Sequence, residues 1–224
     1  MCSTKNPSPK QSPLGANCPV KLGYSGYMSP SLQGYFQVAQ AIWEGLPPVT
    51  RFGAQDEHTL RTYLPQLQRW EDPVINGFYD ALFSHPATRS VFREGERAMR
   101  EQVLRIWYRR TITGPFNLEY FAWQILVGQV HHNRGISKGQ VMAMWGWLTE
   151  QIWQLSHISL PLDEADQLTM AWMRLANSVK AMAADERLEA YLQALEQQSG
   201  GNLRILQSAV VSWLEELGKS SSHS

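Results

Sequence analysis

The stretch VGQVHHNRGIS, residues 127–137, sets two imidazoles side by side at the end of an apolar segment. The chain has six histidines, His58, His85, His131, His132, His157 and His223, and only the middle pair lies in strongly apolar, helix-like surroundings. A stripe from Leu118 through Phe121, Ile125 and Gly128 continues in steps of three and four to His131 or His132, so one of the two faces inward. An inward imidazole either bonds a carbonyl as a core residue or serves as a ligand. With no Cys, Asp or second His in register it cannot build a protein-only metal cage, and it works as a ligand only where a cofactor supplies the remaining donors.

Other chemistries are poorly represented. The sequence contains no phosphate loop, no Gly-x-Ser-x-Gly elbow, no His-Glu-x-x-His pair and no Cys-x-x-Cys, which argues against kinase and hydrolase readings. Twenty Lys and Arg balance twenty Asp and Glu, so no overall field draws nucleic acid or anionic lipid. Cys2 and Cys18 both fall in a Pro/Ser-rich leader, and the Cys18-Pro19 pair reads as a turn rather than a thiolate ligand. The segment MCSTKNPSPKQSPLG lacks the apolar run of a signal peptide, and no later stretch is an uninterrupted apolar span of roughly 18 to 20 residues. The expectation is a cytoplasmic protein with neither a membrane nor a nucleic-acid partner.

The elements that must position the histidines are helical. Seven of the twelve prolines precede residue 50 and none follows Pro161, which predicts an irregular leader and then helices with short breaks. Residues 31–43 carry Leu32, Tyr35, Phe36, Ala39 and Ile42 at helical spacing. Residues 56–70 predict a helix kinked at Pro65. Pro73 suits the first turn of the next, which SHP ends at 84–86. In EGERAMREQVLRIWYRRT, Met99, Val103, Ile106 and Trp107 share one side. The segment from Leu118 to Val130 is apolar nearly all round, Gly135 stops it, and Ser137 caps a long helix over 138–158. Residues 163–197 contain no Gly or Pro and predict one long helix, followed by a hinge at 199–201 and a short last helix.

Haem is the cofactor that needs a single protein ligand: the porphyrin provides four nitrogens, an imidazole the fifth donor, and a diatomic gas can take the sixth position. In this light the chain resembles the sensor globins, comprising protoglobins and the globin domains of globin-coupled sensors. INGFYDALFSHP, residues 75–86, resembles the Phe-Tyr segment of that family's B helix. VGQVHHNRGIS resembles its Val-His-x-x-x-Gly-Ile segment at the end of the F helix, and the likeness spans roughly residues 50 to 185.

The resemblance implies a register. Matching Val130, Gly135 and Ile136 makes His131 the proximal iron ligand and turns His132 outward; the chain departs from the family at Asn133, where an arginine is common, and carries Arg134 one position later. Tyr79 is then the distal hydrogen-bond donor. Phe78 and Phe92 pack against the ring, Met99 and Val103 face the haem from the E helix, Val127 lies one turn before the ligand, and Met144 and Trp145 close the proximal side.

The implied architecture is all-α, a three-over-three globin fold with an extra N-terminal helix, no D helix and a short extra C-terminal helix. Its divisions are a leader over 1–30, a globin sensor domain over 31–197 and a tail over 198–224, without an attached output domain. The implied function is reversible binding of oxygen, carbon monoxide or nitric oxide to haem b and gas sensing, not enzymatic turnover. A homodimer through 138–158 and 163–197 and a separate signalling partner go with it. Two alternatives are a haem redox enzyme, such as a nitric oxide dioxygenase or peroxidase-like catalyst, and a haem-free interaction module.

Overall fold

A computed structural model describes residues 30–185 together with 191, 193, 194 and 197. These residues form nine helices and no strand: α1 Pro30–Gly45, α2 Ala54–Thr62, α3 Leu64–Arg69, α4 Glu71–Ser84, α5 Pro86–Arg89, α6 Arg97–Thr113, α7 Leu118–Asn133, α8 Lys138–Ser159 and α9 Leu162–Ala184. The all-α expectation holds, and the arrangement is that of a globin-like helical sandwich with additional helices.

Local chemistry sets the boundaries. Asn117 accepts the Tyr120 N–H at 3.0 Å and starts α7, while Ser137 and Gln140 form a reciprocal capping box that starts α8. Gly114 and Gly135 take φ of +70° and +76°, where a side chain would be strained, and so end α6 and α7 sharply. Pro65 begins a new helix instead of kinking an old one: α2 ends at Thr62 and α3 starts at Leu64, because proline fits a first turn and breaks an interior.

Two layers follow. The α8–α9 hairpin and α4 form one, α2–α3, α6 and α7 the other, and α9 packs across onto α2 and α7. Large apolar side chains on α9, among them Leu168, Trp172, Leu175 and Val179, are almost wholly buried between them. Polar ties fix the crossing, since Arg174 Nη1 donates to Asp56 at 2.7 Å, Phe52 N–H to Ser178 Oγ at 2.8 Å, and the Tyr63 hydroxyl to Glu164 at 3.0 Å. Gly77 on α4 lies against Trp147 of α8, so close that an added Cβ would stand 3.1 Å from the indole.

The additional helix α1 lies on α7 and α9, burying Tyr35, Ala39, Ile42 and Trp43; the Trp43 ring meets Phe121 of α7 at 4.6 Å. Helix α9 is shorter than the predicted 163–197, because it ends at Ala184 and Asp185 is extended. Aspartate disfavours a helix interior, its carboxylate competing for backbone donors. Residue 191 is helical again, and its tyrosine ring packs edge-on against Tyr35 at 5.3 Å. The predicted hinge and last helix lie outside the described residues.

Candidate functional site

Helices α6 and α7 follow one another in sequence but do not pack backbone to backbone. They are joined near their connecting loop by a buried polar network. Trp107 Nε1 donates to Gln124 Oε1 at 3.2 Å, Gln124 Nε2 to the Tyr120 hydroxyl at 2.7 Å, and that hydroxyl to Thr111 Oγ1 at 3.4 Å. Burial holds the phenol of Tyr120 protonated, its pKa pushed up to about 12. A network satisfied in this way stiffens the junction, since each group would cost free energy if left unpaired.

Away from the junction the side chains of the two helices are less covered. Every residue from Tyr120 to Leu126 is buried, whereas Val127, Val130 and His131 are only half-buried although the segment is equally apolar. On α6 the buried face is Trp107, Tyr108, Thr111 and Ile112, with Leu104 half-buried above them. Met99 is 54% exposed and Val103 41% exposed, two turns and one turn above Trp107 respectively. The buried face of α6 takes in Tyr108 beside the predicted Trp107, because Tyr108 turns inward to donate to the Leu67 carbonyl of α3 at 2.8 Å, and it leaves Met99 and Val103 open toward the other end of the helix.

His131 has a defined ring state. Its Nδ1 lies 2.8 Å from the Val127 carbonyl, an acceptor only, so Nδ1 carries the proton and Nε2 holds a lone pair with no hydrogen-bond partner among the described residues. Desolvation outweighs that hydrogen bond and lowers the pKa, favouring the neutral imidazole that a metal requires. His132, the next residue, is exposed. Among the described residues no three His, Cys, Asp or Glu side chains gather into a metal cage.

Tyr79 on α4 supplies the other polar group. Its ring is buried against Phe78 at 5.6 Å and Phe92 at 5.9 Å, and Phe92 stacks on Phe83 at 5.1 Å. The hydroxyl makes no hydrogen bond among the described residues. Burial, then the charge of Glu101, raises its pKa, partly offset by Arg134, so it stays a neutral donor. Phe78 also meets Trp147 of α8 at 5.8 Å. Trp145, buried on α8, sits edge-on to Trp107 at 5.2 Å, and Met144 beside it is half-buried.

Residues 43–195 match the Protoglobin family. The chain belongs to the protoglobin family. No curated protein matches it. The match begins at Trp43, near the end of α1, and takes in α2 to α9.

A protoglobin's b-type haem fits the residues present. Among the described residues His131 Nε2 and the Tyr79 hydroxyl have no hydrogen-bond partner, and apolar side chains on α6 and α7 are left exposed or half-buried, which suits a group that needs a single protein ligand and apolar cover. Several parts of this protoglobin site were not anticipated from sequence. Gln124, the one uncharged polar residue within the apolar run 120–127, was the visible signal for the buried network. Phe83 and Trp147 carried none, because their placement depends on how α4 crosses its neighbours. Arg134 was noted only as a displaced match, yet it ties the end of α7 to the opposite wall.

Proposed function

We propose that the protein binds one haem b between α6 and α7 through His131 and reversibly takes up a diatomic gas, acting as a gas sensor. When bound, the haem would supply an iron that takes one ligand from the protein and one from a diatomic gas. His131 presents the Nε2 lone pair for the first, and the Val127 carbonyl holds its ring in the required tautomer. Tyr79 would donate its hydroxyl hydrogen to the gas, from a ring held by Phe78 and Phe92. Phe78, Phe92, Met99, Val103 and Val127 would pack against the porphyrin, with Met144 and Trp145 behind it, and burial of Met99 and Val103 would relieve their exposure.

The observation that carries this reading is the state of His131: an inward imidazole with Nδ1 bonded and Nε2 unengaged, in a protoglobin-family chain. Oxygen, carbon monoxide and nitric oxide all belong to the class of ligand it admits. A sensor reading is favoured over a redox enzyme by the architecture of α8 and α9, whose outer side exposes Trp153, Met170 and Met173 as a surface for a second copy. The globin domain would then span 31–197 and signal through a separate partner. A cytoplasmic location is part of this reading, and no described helix is long and apolar enough to cross a membrane.

The test is a haem titration followed by visible spectroscopy. Wild-type protein should develop a Soret band that shifts with carbon monoxide. His131→Ala should fail to retain the pigment while His132→Ala retains it. Retention by His131→Ala and loss by His132→Ala would overturn the assignment, and no uptake by the wild type would leave the haem-free module as the better account.

A further inference from the structure

Helices α6 and α7 are tied to each other at both ends. At the junction end stands the network of Trp107, Gln124, Tyr120 and Thr111; at the other end stands Arg134, the residue that caps α7. Its Nη2 donates to both carboxylate oxygens of Glu96, at 3.1 and 3.2 Å, and to the Val91 carbonyl at 3.4 Å. Glu96 is the N-cap residue of α6, and Val91 precedes Phe92, whose ring holds Tyr79. From tie to tie each helix advances about three turns, roughly 16 Å. The apolar residues left half-buried, Leu104 on α6 and Val127 and Val130 on α7, lie between the two ties.

Glu96 is built to hold this position. Its side chain is only 10% exposed, it accepts the Arg93 N–H at 2.9 Å, and Arg100 donates to it from the first turn of α6. These bonds lower its carboxyl pKa, the backbone bond from Arg93 most and Arg134 next among the favourable partners. A carboxylate fixed by two guanidiniums and a backbone amide is a rigid anchor, and charge-assisted bonds of this kind are stronger than neutral ones. Arg134 therefore joins the helix that carries His131 to the segment that carries Phe92.

We propose that the Arg134–Glu96 pair is a strap across the mouth of the cofactor site, a positioning device that sets how readily haem leaves and how fast gas enters. The inference rests on the haem reading above. The strap ties the two helices at the end opposite the buried network, so its parting frees them to spread and eases haem release. It also fixes Phe92 relative to His131, and through Phe92 the ring of Tyr79.

Haem transfer to an excess of apo-globin acceptor, and carbon monoxide recombination after a light flash, test the strap on the full chain. Arg134→Met, which keeps the stem and removes the charge, should speed haem loss roughly tenfold and quicken recombination severalfold. Glu96→Gln should do the same, and the double variant should be no faster than either single one, because the two residues act as one unit. Arg134→Lys should recover part of the loss. Rates for Arg134→Met within about twofold of wild type, or effects that multiply in the double variant, would overturn the strap.

Hydrogen exchange on the haem-free protein gives a readout independent of pigment. Amides of residues 91–96 should lose protection in Arg134→Met while those of 120–126 keep theirs. Unchanged exchange at 91–96 would also overturn the proposal. If wild-type protein takes up no haem, the haem reading fails on that result, and a preserved loss of protection at 91–96 would show the tie standing without it.

Discussion

The Nδ1–H of His131 donates to the carbonyl of Val127, one turn earlier on the same helix, at 2.8 Å. Because the carbonyl can only accept, this contact sets the tautomer and leaves Nε2 as the sole position where a proton or a metal can add. The two compete for the same lone pair.

Burial lowers the folded-state pKa of His131 below its ordinary value of 6.5. As pH falls through that value the unfolded imidazole takes up a proton that the folded one refuses, so the unfolded state is favoured and stability is lost. The loss begins near the unfolded pKa and ends once pH is below the folded pKa. Haem-free His131→Gln should show a flatter fall in urea midpoint from about pH 7 to about pH 5 than the wild type. Parallel profiles would show that the ring does not titrate differently in the two states.

Tyr79 presents a hydroxyl with no hydrogen-bond partner among the described residues, from a buried, aromatic-braced ring. Tyr79→Phe removes the donor and keeps the shape. Stopped-flow displacement of oxygen should become roughly tenfold faster, the scale of one lost hydrogen bond in a dry site. Carbon monoxide, which gains little from a donor, should leave at a rate close to wild type. An unchanged oxygen off-rate would remove Tyr79 from the distal side.

Gly34 on α1 sits beneath Tyr191. A Cβ built there would stand 2.0 Å from the Tyr191 hydroxyl and 2.3 Å from its Cζ, so the ring would have to leave Tyr35. Alanine gains about 1 kcal/mol of helix propensity over glycine, while overpacking costs ~1–3 kcal/mol. The expected result of Gly34→Ala is a lower urea midpoint, and in a Tyr191→Ala background the same change should raise it. A stabilising Gly34→Ala in the wild type would mean that Tyr191 does not hold this place.

The outer side of α8 and α9 carries exposed Trp153, Met170 and Met173. They form a connected surface: Trp153 lies against the His157 ring at 4.6 Å, His157 Nε2 meets Asp166 at 3.0 Å, and Met170 follows Asp166 by one turn. If this surface joins two copies, paired Met170→Glu and Met173→Glu substitutions should shift the sedimentation coefficient from dimer to monomer without loss of helix by circular dichroism. A wild type that sediments as a monomer would defeat the dimer directly.

The sequence by itself determined the helices and the residue that faces inward. Proline placement, the Gly114 and Gly135 stops, the Asn117 and Ser137 caps and apolar spacing are local properties, and local backbone chemistry decides them. The inward turn of His131 was legible to within one residue from helical phase, and the family likeness of the flanking Val130, Gly135 and Ile136 singled it out. Pro65 was legible as a break but not as a helix start, since both outcomes satisfy the same fixed φ.

Tertiary structure alone decided the rest, because it depends on contacts between residues far apart in the chain. The inner face of α6 is set by Tyr108 reaching α3, the end of α9 is followed by Tyr191 returning to α1, and the helix that carries His131 is tied to α6 by Gln124 at one end and Arg134 at the other. Glu96 and Arg134 stand 38 residues apart. Neither spacing nor composition brings them together; the crossing of α6 and α7 does, and with it the frame around the site.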